Sequence, residues 1–132
     1  MSEQVEILTH AEIVTAFFAG GEHGDEACLA DDVEFVPFRR LAGPGTRGPR
    51  AFTRYIREIA KQFAEYEIEL ERLWCVDDQV VVDVRREARS ARCPVPLTDH
   101  FAQVLTLREG KIVRIEAYPT FEAALTAAGL SE

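Results

Sequence analysis

The feature that most limits what this chain can fold into is a change of hydrophobic period near Glu65. Upstream, apolar side chains recur at helical spacing. Phe52, Ile56, Ile59 and Phe63 follow one another at steps of four, three and four, one apolar stripe on a helix running to about Ala64. Pro49 opens that helix, where its missing N–H costs nothing. Downstream the period drops to two. Tyr66, Ile68 and Leu70 alternate with Glu67, Glu69 and Glu71, the pattern of a strand with one face buried and one in water. Helices come first and an antiparallel meander follows, which is the α+β class.

The other segments complete this plan. Thr9 and Glu12 form a capping box, Ile13, Val14, Phe17 and Phe18 follow at helical spacing, and Gly20-Gly21 ends the run. A short helix is expected over Asp25–Ala30, stopped by Asp31-Asp32, and a strand over Val33–Phe38. A Gly/Pro loop covers Arg39–Gly48. Strands are predicted at Glu65–Val76, Gln79–Ala91, Leu97–Arg108 and Lys111–Tyr118, separated by Asp77-Asp78, Cys93–Pro96 and Glu109-Gly110. Thr120 caps a closing helix over Phe121–Ala128, with Gly129 as its stop. The expected order is α-α-β-α-β-β-β-β-α in a single domain over residues 1–132. Its curved antiparallel sheet packs on the N-terminal helices as a cone, with a cavity wherever the helices fail to fill it.

Composition narrows the function classes. With 23 acids against 15 bases the net charge is −8, which argues against nucleic acid as a partner. No stretch approaches the length of a membrane span, and the acidic N-terminus is no secretory signal. Cys28, Cys75 and Cys93 are odd in number and form no CxxC pair, as expected of reduced thiols in a cytoplasmic protein. His10, His23 and His100 lack metal-ligand spacing, and the Gly43–Gly48 run lacks the ending of a phosphate-binding loop, so no metal or cofactor is expected. The charge is also segregated. Six arginines (Arg39, Arg40, Arg47, Arg50, Arg54 and Arg57) lie in a stretch without a single acid. Such arginines are ordinarily solvated, but at a cavity mouth they would steer an anion inward, with Arg39 and Arg40 the best placed.

Alternation assigns faces to the long strands. Val80, Val82, Val84 and Arg86 share one face, and Leu97, Asp99, Phe101, Gln103, Leu105 and Leu107 another. Taking both as inward gathers Arg86, Asp99 and Gln103 into a polar cluster within an apolar surround. A turn centred near Pro94–Val95 would set Arg86 opposite Gln103, with Asp99 nearer the mouth. Tyr118, Trp74 and Tyr55 are further polar handles, and Phe101 and Val84 apolar walls. His100 falls on the outer face. The same cluster also reads as a structural network that satisfies itself.

Several stretches carry a resemblance: Leu29-Ala-Asp-Asp-Val-Glu-Phe35, Arg47-Gly48, Asp77-Asp-Gln-Val-Val-Val82, Leu107 to Tyr118, and Glu122 to Leu130. With them the whole chain resembles the nuclear transport factor 2-like superfamily, in its bacterial SnoaL-like, ketosteroid-isomerase-like branch. The resemblance implies a cone-shaped, cystatin-like α+β barrel with a pocket, and commonly a homodimer through the outer sheet face. The superfamily hosts isomerases, hydrolases, cyclases, dehydratases and binders, so fold alone does not give function. The steroid-isomerase pattern implies an acid where Val36-Pro37 stand, a tyrosine where Ile13 stands, and an acid where Gln103 stands. The epoxide-hydrolase pattern is met by Arg86 but has Ala88 and Ala117 in place of its aspartates. A SnoaL-type carboxylate base would be Asp99. Two functions are therefore expected. The first is binding of a small, mainly apolar molecule, anionic if the arginines steer it. The alternative is an isomerase, lyase or hydrolase with Asp99 as general base and Arg86 and Gln103 as oxyanion stabilisers.

Overall fold

The computed structural model describes residues 9–21, 24–38, 45–92 and 95–129. Helix α1 (His10–Phe18) starts at the Thr9–Glu12 capping box, with both reciprocal hydrogen bonds present. A single 3-10 turn (Glu26–Cys28) leads into β1 (Leu29–Val36), and β2 (Thr46–Arg47) is a two-residue strand before α2 (Pro49–Ala60). The long strands β3 (Glu65–Val76), β4 (Gln79–Arg89), β5 (Leu97–Arg108) and β6 (Lys111–Tyr118) follow, then α3 (Phe121–Ala127). This is the expected α+β plan: helices packed against a curved, open sheet.

Three local expectations need correction. The second helix is only the 3-10 turn, and Asp31-Asp32 lie inside β1 rather than ending a helix. The reason is pairing: β1 runs parallel to β6, and Leu29 already faces Ile112. The sheet is therefore mixed, in the order β2-β1-β6-β5-β4-β3. Helix α2 stops at Ala60, so Phe63 falls beyond it and stacks on Tyr66 at 5.7 Å.

Burial follows strand parity on β4 and β5, and a register shift in the β5–β6 pairing brings both Ile112 and Ile115 of β6 inward. Val80, Val82 and Val84 of β4 and Leu105 and Leu107 of β5 join them and pack with Val14 and Phe17 of α1 and Phe35 of β1. On the other face Val81, Ala102 and Val104 are covered by Ala124 of α3. At the tip joining β5 to β6, Glu109 and Gly110 both have positive φ, 53° and 80°, as a two-residue hairpin of right-twisted strands requires. No described helix is long and apolar enough to cross a membrane.

Leu105 is fully buried in the middle of the inner face. Leu105→Ala should lower the free energy of unfolding in urea by about 2–5 kcal/mol, with an unchanged m-value. A loss below about 1 kcal/mol would place the core elsewhere.

Candidate functional site: an apolar cavity with a buried amide

Beyond Val84 the inner face of the sheet diverges from the helices and leaves a cavity of about 540 Å³. Phe17 and Phe18 of α1 and Phe52, Tyr55, Ile56 and Ile59 of α2 form one wall. Arg86, Phe101, Gln103 and Ala117 form the floor on β4, β5 and β6. That volume lies within the ordinary range of small-molecule sites, roughly 300–1,000 Å³. Gly24 closes one side at a position where only glycine fits: its φ is +78°, and a Cβ there would stand 2.4 Å from the Phe17 ring.

The register of β4 against β5 differs from the expected one by four residues. Arg86 pairs with Asp99, and Gln103 with Val82. An even shift keeps each side chain on its face while changing its neighbours. Arg86 consequently donates from Nε and Nη2 to the two carboxylate oxygens of Asp99, at 2.9 and 2.7 Å. The Asp99 carboxylate holds the Arg86 guanidinium above its ordinary pKa against the opposing effect of burial, with the Tyr66 hydroxyl adding to it. The guanidinium also lies over the Phe101 ring, 5.5 Å from its centre. Arg86 lines the cavity; Asp99 stands behind it and is absent from the lining.

Gln103 is the other polar group on the floor. It is 8% exposed, and its side-chain oxygen is buried without a hydrogen-bond partner among the described residues. No Asp or Glu lines the cavity among the described residues. Tyr55, also on the wall, has its pKa raised by burial and then by neighbouring Tyr66.

Of the residues singled out from the sequence, Arg86, Gln103, Phe101 and Tyr55 line one cavity. Val84 is fully buried in the core. Two placements are corrected. Trp74 points away because a β-bulge between Leu70 and Arg72 reverses the parity of β3, turning Leu73 inward and setting Trp74 opposite outward-facing Val81. Tyr118 packs with α3 on the outer face, one residue out of phase with inward Ala117. Arg39 and Arg40 lie outside the described residues, as does Cys93. His100 is on the outer face as expected, 3.2 Å from Glu71, whose pKa its hydrogen bond lowers. The aromatic walls were legible only as stripes. That Phe52, Ile56 and Ile59 share one helix face was readable; that Tyr55 joins them and that the face stands off the sheet was not.

An open, curved sheet backed by helices around an apolar cavity defines a class of α+β pocket proteins. A model described as a SnoaL-like domain matches residues 11–115, and the chain belongs to that family. Solved structures agree on the fold. TerC, co-crystallized with polyporic acid, is 22% identical with a TM-score of 0.72, covering 90% of this chain and 97% of its own. A hypothetical protein of ketosteroid isomerase-like fold from Catenulispora acidiphila, in complex with trimethylamine, is 19% identical with a TM-score of 0.71, covering 92% and 95%. A putative SnoaL-like polyketide cyclase from Jannaschia sp. is 15% identical with a TM-score of 0.69, covering 93% of each chain. No curated protein matches the chain by sequence.

The Arg86–Asp99 pair gives the site its first test. Asp99→Asn leaves the half-buried guanidinium without its counter-charge. Stability should fall by about 1 kcal/mol once screening at the exposed side of the pair is allowed for. Chemical denaturation measures this, and an unchanged midpoint would mean the pair is not held in solution.

Proposed function

We propose that this protein binds a small, mainly apolar molecule in the cavity, with a single polar oxygen, carbonyl or hydroxyl, set against Gln103 and Arg86. The Gln103 side-chain oxygen carries the reading: among the described residues it has no hydrogen-bond partner. A buried polar atom left so costs about 1–3 kcal/mol, a cost that a bound ligand would recover. By a half-turn the amide offers either a donor or an acceptor, and Arg86 retains Nη1, which Asp99 does not use. The aromatic walls supply the apolar burial. Two relatives of the same fold, crystallized with polyporic acid and with trimethylamine, support a pocket that admits small molecules.

Charge refines the ligand. Arg86 and Asp99 neutralise each other, so the cavity favours a neutral polar end over a carboxylate. The same geometry favours binding over base chemistry. Asp99 stands off the wall with both oxygens on Arg86, so it serves as a positioning residue for the guanidinium rather than as a base aimed at a ligand. The reading includes a homodimer joined through the outer sheet face, where Trp74 is 57% exposed.

The test replaces the amide. Gln103→Leu should stabilise the ligand-free protein by about 1 kcal/mol and weaken the binding of acetonaphthone roughly tenfold. Naphthoate should bind the wild type less tightly than acetonaphthone, and Asp99→Asn should reverse that order. A leucine that destabilises the free protein, or leaves acetonaphthone binding unchanged, contradicts the reading. Native mass spectrometry of the purified protein reads the dimer directly, and a monomer alone would count against it.

A further inference from the structure

The face of α2 turned away from the cavity borders a second hollow, an open groove of about 860 Å³ shared with the 3-10 turn and the start of β3. Arg50, Arg54, Arg57 and Lys61 line it at steps of four, three and four residues, so the cations form one row down the helix. Lys61 is paired with Glu58 at 3.2 Å. Glu26, the other acid in the groove, accepts from the Thr53 hydroxyl at 2.8 Å. Arg50, Arg54 and Arg57 have no carboxylate partner among the described residues, a lack they share with Arg47, Arg92 and Arg108, whereas Arg72, Arg85, Arg86, Arg89 and Arg114 each have at least one. In a chain of 23 acids and 15 bases, arginines left without partners run against the composition.

The row also runs against local helix physics. Arg50 and Arg54 repel at a spacing of four, and Arg54 and Arg57 at a spacing of three. Arg50 lies in the first turn, where the helix dipole favours an acid and none is present. An anion lying along the row would remove both costs. The stacked rings of Phe63 and Tyr66 close one end of the groove, and Tyr66 lines the cavity as well.

We infer that this groove binds a multiply charged oxyanion, of phosphate or polycarboxylate chemistry, held by Arg50, Arg54 and Arg57. From Arg50 to Arg57 the helix rises about 10 Å, so a diphosphate or tricarboxylate spans two or three guanidinium forks. Each fork grips such a group through paired N–H donors. The site goes beyond the cavity reading and does not depend on what the cavity holds.

The experiment titrates the isotope-labelled protein with inorganic pyrophosphate, and separately with citrate, at constant ionic strength, following the arginine Nε–H resonances. The wild type should show saturable shifts at Arg50, Arg54 and Arg57 with at least one of the two, and the tighter probe assigns the headgroup. The double variant R54Q/R57Q should lose affinity by about tenfold or more, while R108Q, outside the groove, should not change it. The double variant should keep or raise the thermal midpoint, because both sites are exposed and a repulsion is removed, so lost binding is not lost fold. Linear shifts with both anions, or equal affinity in the double variant, would overturn the proposal.

Discussion

The register of β4 on β5 decides what the inner face of this sheet can do. Pairing from Gln79↔Thr106 to Ala88↔Leu97 sets Arg86 directly across from Asp99 and leaves Gln103 opposite Val82. The ion pair is thereby consumed within the sheet, and the amide is left with an apolar neighbour that offers it nothing. A register four residues away would have put the guanidinium against Gln103 and satisfied it. The cavity's chemistry, a neutralised pair beside an amide oxygen with no partner among the described residues, follows from that pairing and from the apolar wall that α1 and α2 supply.

Much of the architecture was legible because it rests on period, and period survives errors of register. Alternation placed Val80, Val82, Val84 and Arg86 on one face whichever residues they paired with, since an even slip preserves side. Pairing itself is set by the geometry of the connection, which composition does not encode. Bulges are equally silent: nothing in the run from Leu70 to Arg72 announces the extra residue that turns Trp74 outward. The parallel pairing of β1 with β6 was likewise out of reach, because it joins segments far apart in the chain. The site was half legible for the same reasons. Its sheet floor was readable from alternation, while its helical wall was readable as an apolar stripe and not as the wall of a space.

Helix α2 links the two hollows. Its apolar face looks into the cavity through Phe52, Tyr55, Ile56 and Ile59, and its cationic row looks into the groove. The segregated charge of the sequence thus acquires a place. Among the described residues the acids lie mainly on the sheet, where Arg85 alone engages Glu69, Glu71 and Glu87 on the outer face, while the α2 arginines have no carboxylate partner. The distribution of charge, rather than its sum, underlies the two proposals: a small anion at one surface and a neutral apolar molecule at another.

The central claim is that the Gln103 side-chain oxygen is kept without a partner in the free protein so that a ligand can engage the amide. The most direct measurement is the side-chain amide resonance pair of Gln103, observed by NMR in isotope-labelled protein with and without a saturating neutral aromatic ketone. The account predicts that this pair shifts downfield and becomes protected from exchange on binding, while backbone resonances of the outer face stay in place. An amide pair already protected in the free protein, and unmoved when the cavity fills, would contradict it.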